Sequence, residues 1–164
     1  MASDYVRSSD KTREYYKGEG YDKPYRWAHF DDVPFTPLGK PLAECRVGLI
    51  TTSEMAVRGA ARPVPDDDPL RNPYWLSSAT PIGDLYSLKV AYDRYATTLD
   101  DVDAYLPLTR LGEAVAGGRI AALAPRFQVA FSQYSQRKTL EVDAPMIYEW
   151  LREDRVDVAA LTAV

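Results

Sequence analysis

The stretch that most constrains this chain is its last eight residues, Asp157-Val158-Ala159-Ala160-Leu161-Thr162-Ala163-Val164. They are almost continuously apolar and rich in small and β-branched side chains, and a helical pattern leads straight into them. That combination predicts a buried strand of a parallel sheet. In open α/β sheets ligands bind at the carboxyl ends of the strands, and nucleophiles have their pKa lowered at the helix N-termini that follow. The carboxyl end of this strand is therefore where a site is expected.

A chain of 164 residues suits one domain, and at this size roughly 70% of the unfolded surface is buried on folding. Hydrophobic residues make up 46% of it, yet no apolar run approaches a membrane span, so neither a membrane-embedded nor a disordered chain is expected. The start, Met-Ala-Ser-Asp-Tyr, has no basic region followed by an apolar one, which predicts a cytoplasmic location. The net charge is −4, with basic residues scattered, which argues against nucleic acid as a partner. Cys45 and His29 are the sole residues of their kinds, so no disulfide and no recognisable metal spacing is expected.

Along the chain, residues 1–40 read as an N-terminal arm. Lys11 to Lys17 suits a short helix ended by Gly18 and Gly20. Pro24, Pro34, Pro37 and Pro41, with Tyr25, Trp27, Phe30 and Phe35, suit an extended aromatic strap over its own domain or a partner. Residues 41–164 read as an α/β domain. Arg46 to Thr52 is the clearest first strand, releasing Thr51-Thr52-Ser53-Glu54 either into a site or into a helix cap. Residues 59–81, with five prolines and Asp66-Asp67-Asp68, read as an irregular excursion with a solvated tip.

Leu85 to Tyr92 alternates well enough for a second strand, with Leu88, Val90 and Tyr92 on one face. Pro107 suits the first turn of a helix carrying Leu108, Leu111 and Val115 on one side and ended by Gly117-Gly118. Residues 120–132 fit a strand, through Phe127, Val129 and Phe131, or a loop around Pro125. A last helix is expected from near Asp143 and Pro145, burying Met146, Ile147, Trp150 and Leu151. The fold class is thus α/β: a three-layer domain with a mainly parallel sheet, preceded by an extended Pro/aromatic-rich arm.

The residues themselves show no complete active site. Thr51 to Glu54 has no phosphate-binding glycines, and Asp101 with Asp103 reads as a solvated pair. Cys45 opens its strand and reads as a small buried residue.

Five blocks in order nevertheless resemble the selenoprotein B family of the glycine, sarcosine, betaine and D-proline reductases. They are Pro37 to Thr52 (PLGKPLAECRVGLITT), Tyr92-Asp93, Leu106 to Leu111 (LPLTRL), Ile120 to Arg126 (IAALAPR) and Val156 to Val164 (VDVAALTAV). The resemblance covers roughly residues 33–164. It implies reductive carbon–nitrogen cleavage of a small amine or amino-acid-like substrate by a selenocysteine, or a cysteine, directly after the final strand. On that expectation the chain either stops at a selenocysteine codon or is a naturally short relative. The resemblance also implies a heteromeric complex with a pyruvoyl group on a partner subunit, and no cofactor held by this chain itself.

The positions it places around the nucleophile are Thr51, Thr52, Tyr92, Asp93 and Arg126. The stretch Lys89 to Asp93 departs from the family in lacking a histidine ahead of the Tyr-Asp pair, which bears on amino-acid reduction. The competing expectation is a non-catalytic partner or scaffold subunit, as a homo-oligomer or in a heteromeric complex.

Overall fold

The computed structural model describes residues 8–23, 28–33, 36–92, 94–132 and 135–164. Two compact units are present, Met1–Phe35 and Thr36–Val164. In the first, α1 (Ser8–Gly18) ends in a turn where Gly20 takes φ +88, as the Lys-rich stretch bounded by glycines predicts. Phe30 is exposed, while Pro24, Tyr25, Trp27, Pro34 and Phe35 of the expected strap lie outside the described residues.

The second unit has an α/β fold. β1 (Arg46–Thr51) is its central strand, buried almost throughout. β2 (Met55–Val57), β3 (Tyr74–Ser77) and β4 (Leu85–Ser87) follow, then α2 (Leu108–Ala116). β5 (Ala122–Leu123) and β6 (Arg126–Val129) come next. After them α3 (Gln136–Lys138), a π-helical stretch at Thr139–Asp143 and α4 (Ala144–Glu153) form one helical run, which leads into β7 (Val158–Thr162).

The main sheet is mostly parallel. β7 pairs with β1 from Val47↔Val158 to Thr51↔Thr162. On the other side of β1, β5 takes Arg46 and Val47 while β6 takes Ile50 and Thr51, so these two strands lie in tandem. Pro125 separates them: lacking an N–H it cannot continue the ladder, and its carbonyl accepts instead from the Ser78 amide. The ambiguous 120–132 stretch is therefore two short strands. β3 closes that edge, antiparallel to β6.

One face of this sheet presents Leu49, Phe127 and Val129 to Leu106, Leu108, Met55 and Leu85, which form the main core. Leu108 and Leu111 of α2 bring that helix onto it, in keeping with their spacing. Asp103 accepts from the Thr109 amide and so caps the start of α2, while Asp101 accepts from the Asp103 amide. The two carboxylates hold a turn together.

The opposite face is covered by α4. A Cβ placed on Gly48 would lie 2.8 Å from Leu151 Cδ2 and 3.0 Å from Val156 Cγ1, so the helix sits directly on a bare strand. Ile147 is buried and Trp150 half-buried, as the apolar spacing predicts. Helix, sheet and helix make the three layers.

Four expectations are corrected. β7 is an edge strand with alternating exposure, not a fully buried one: Leu161 is 67% exposed, and among the described residues no further strand lies beyond it. The 85–92 strand stops at Ser87 and pairs with β2 in a separate two-stranded sheet. The Ser87 hydroxyl ends it by accepting from the Lys89 amide and donating to the Ser53 carbonyl, which turns the chain away. No helix follows Ser53 and Glu54, since Met55 and Ala56 are drawn into the core as a strand. The final helical run begins at Gln136 rather than near Asp143. Its π-helical stretch lies just before Pro145, whose ring would meet the Glu141 carbonyl in regular α geometry.

Candidate functional site at the carboxyl edge of the sheet

The carboxyl ends of β1 and β7 meet at Thr51 and Thr52. Thr51 is fully buried, its hydroxyl 2.5 Å from that of Ser53 and 3.5 Å from the Tyr105 carbonyl, to which it donates. Thr52 donates its amide to the Thr162 carbonyl at 3.2 Å, and its hydroxyl oxygen accepts the Val164 amide at 3.3 Å. The two strand ends are thus fixed by backbone and hydroxyl together.

Lys89 lies against this edge. It is 6% exposed, and its ammonium donates to the Thr52 carbonyl at 3.2 Å and to the Ser132 hydroxyl. Burial pushes its pKa below the ordinary lysine value, the Glu54 carboxylate works against that, and the Arg71 guanidinium adds to it. Among the described residues no carboxylate forms an ion pair with Lys89.

The segment from Ser87 to Val90 divides two cavities, because its side chains alternate. Leu88 and Val90 line one of about 350 Å³ together with Glu54, Arg71, Tyr74 and Phe131. Ser87 and Lys89 line the other, about 510 Å³, with Arg58, Tyr92, Leu99 and Asp100. In the first, Glu54 and Arg71 pair at 2.9 Å, and both have positive φ, +52 and +43. Non-glycine residues hold that backbone region only where the surroundings enforce it, and such residues cluster at functional sites. Arg71 also lies over the Phe131 ring at 4.3 Å. Tyr74 donates to the Met55 carbonyl at 2.7 Å, and burial raises its pKa above the usual phenol range.

Of the residues expected here, Thr51 ends β1 at this edge and Thr52 follows it, with the Thr52 carbonyl accepting from Lys89, and Tyr92 lines the cavity that Lys89 also lines. Asp93 lies outside the described residues. Arg126 is not brought to this edge. It opens β6, opposite the amino-terminal half of β1, and its guanidinium bonds Asp154 at 2.8 Å and Glu153 while covering the Trp75 ring at 5.3 Å. Those carboxylates hold its pKa above the usual value. Cys45 is also at the far end, fully buried, its thiol donating toward the Pro41 carbonyl at 3.3 Å.

Sequence reasoning passed over Lys89, Arg58 and Arg71, and took Glu54 only as part of a strand end released into a site or a helix cap. A lysine on the opposite side of the run from Leu88 and Val90 was the one available signal. The strained pair becomes visible only with the backbone. Asp66 is engaged by Arg62, and no group of three or more metal-ligating side chains gathers among the described residues. No described helix is long and apolar enough to cross a membrane.

Compared with known families, curated proteins and solved structures, the chain matches none.

Proposed function

We propose that this chain is a component of a selenoprotein B-like reductase system, acting in the cytoplasm on a small amine or amino-acid-like substrate. The reaction is reductive carbon–nitrogen cleavage: a selenol or thiol placed just beyond Val164 attacks the carbon bearing nitrogen, amine leaves, and a dithiol regenerates the nucleophile. The pyruvoyl group that activates substrate belongs to a partner subunit, so no residue of this chain is asked to hold it.

The observation that carries this reading is the Val164 amide on the Thr52 hydroxyl. A residue following Val164 would emerge beside Thr52, whose carbonyl accepts from Lys89, and Lys89 with Tyr92 lines a cavity large enough for a small amine. Binding tests it without need of the nucleophile: titration of glycine, sarcosine, betaine and D-proline should give saturable binding of at least one, weakened by Thr52→Val. Binding of none would refute the reading.

A second reading, a non-catalytic partner subunit, is favoured by the exposed edge of the sheet. Leu161 is 67% exposed on β7 and Trp75 is 48% exposed on β3, and among the described residues β7 pairs on one side only. Burial of such surface favours association at roughly 25 cal/mol per Å². Light scattering of the concentrated chain should show an oligomer, and a monodisperse monomer would count against self-association.

A further inference from the structure

We propose that Lys89 is a nucleophilic amine that condenses with a small carbonyl compound carrying an anionic group, an aldehyde acid or α-oxo acid, in the cavity it shares with Arg58 and Tyr92. This goes beyond the reductase reading and does not depend on it.

Three features of the cavity carry the inference. The amine is held in place, by the Thr52 carbonyl and the Ser132 hydroxyl, in a residue only 6% exposed. Neither contact is an anion, so nothing among the described residues stabilises the ammonium as an ion pair would. Arg58 lines the same cavity and forms no ion pair among the described residues: its Nε donates to the Gly83 carbonyl at 3.3 Å and its guanidinium lies 5.2 Å from the Tyr86 ring centroid. Lys89 and Arg58 both line this cavity, and a lysine and an arginine lining one cavity fit a ligand with a carbonyl carbon and a carboxylate.

The electrostatics agree with that chemistry. Desolvation favours the neutral, nucleophilic amine, and Arg71 reinforces it while Glu54 opposes it. The other ionisable groups lining the cavity are Arg58, Tyr86, Tyr92 and Asp100.

The step balances without an oxidant or reductant. The Lys89 Nζ lone pair bonds to the carbonyl carbon, a proton passes from nitrogen to the former carbonyl oxygen, and the resulting hydroxyl leaves as water with the second N–H proton as the carbon–nitrogen double bond forms. Ser132, already hydrogen-bonded to Nζ, is placed to relay that proton.

The test is trapping of the imine with cyanoborohydride at neutral pH on the full chain, using glyoxylate as probe and peptide mapping as readout. Lys89 should be labelled about tenfold faster than the exposed Lys11, Lys17 and Lys23. Arg58→Gln should slow labelling by glyoxylate several-fold and leave labelling by acetaldehyde, which has no carboxylate, unchanged. Lys89 labelled no faster than the exposed lysines would overturn the proposal. So would equal slowing of both probes by Arg58→Gln. The wild-type comparison among lysines decides the matter even where a variant fails to fold, and it reads no reductase activity.

Discussion

Val164 donates its backbone N–H to the hydroxyl oxygen of Thr52 across 3.3 Å, tying the end of the last strand to the end of the central one. Five successive residue pairs from Val47↔Val158 to Thr51↔Thr162 bring the two ends to that point in register. The candidate site is therefore anchored to the most buried strand of the fold and not to a loop alone.

The fit of α4 on the sheet depends on Gly48. Gly48→Ala must displace Leu151 and Val156 by several tenths of an ångström, because the new methyl would stand 2.8 Å from one and 3.0 Å from the other. Overpacking of this kind costs about 1–3 kcal/mol. Urea denaturation should show a lower midpoint for Gly48→Ala with an unchanged slope, and wild-type stability in the variant would contradict the close approach of helix and strand.

Two residues that invite a functional assignment lie at the other end. Arg126→Ala leaves the Asp154 carboxylate, with its side chain only 10% exposed, without its charged partner and should cost about 1–3 kcal/mol. Cys45 is separated from Thr51 by the length of β1, roughly 20 Å at the usual rise per residue. Neither Arg126→Ala nor Cys45→Ala should change ligand affinity. Any amine released from glycine, sarcosine, betaine or proline with a dithiol should likewise be unchanged in Cys45→Ala. Amine release that Cys45→Ala abolishes would move the active site to the opposite edge.

The pH dependence of stability follows from Lys89 and Tyr74. Lys89 has its pKa lowered in the fold, so between that value and the ordinary 10.5 the unfolded chain binds more protons and stability rises with pH. Tyr74 has its pKa raised, so above about 10 the unfolded chain loses a proton that the folded one keeps, and stability falls. Tyr105 acts in the same sense. Stability should therefore climb as pH approaches the ordinary lysine value from below and decline once the ordinary phenol value is passed. Lys89→Met should remove the climb and Tyr74→Phe should soften the decline, both measurable by urea midpoints across pH.

Much of the frame was legible in the residues. Val47, Leu49 and Ile50 form an apolar run that only a buried strand explains, and Leu108 with Leu111, or Ile147 with Leu151, mark helix faces by spacing alone. What was not legible depends on partners distant in sequence. Met55–Val57 and Tyr74–Ser77 are too short to announce themselves and become strands because Tyr86 and Phe127 lie opposite. Arg126 was expected near Thr51 because the family resemblance implied it, and residues 120–132, which read equally as strand or loop, offered nothing against that placement. Once Arg126 opens a strand parallel to β1, its place at the far end follows. Lys89 escaped notice because its burial is created by Thr52 and Ser132, from elements 37 and 43 residues away.

The most direct test of the site is a calorimetric titration of the four candidate amines into the wild-type chain, Thr52→Val, Tyr92→Phe and Arg126→Ala. The account predicts saturable binding of at least one ligand, weakened about tenfold by loss of the Thr52 hydroxyl or the Tyr92 phenol, a factor corresponding to one hydrogen bond of about 1.4 kcal/mol, and unchanged in Arg126→Ala. Binding that survives Thr52→Val and Tyr92→Phe but is lost in Arg126→Ala, or no binding of any of the four, would contradict it.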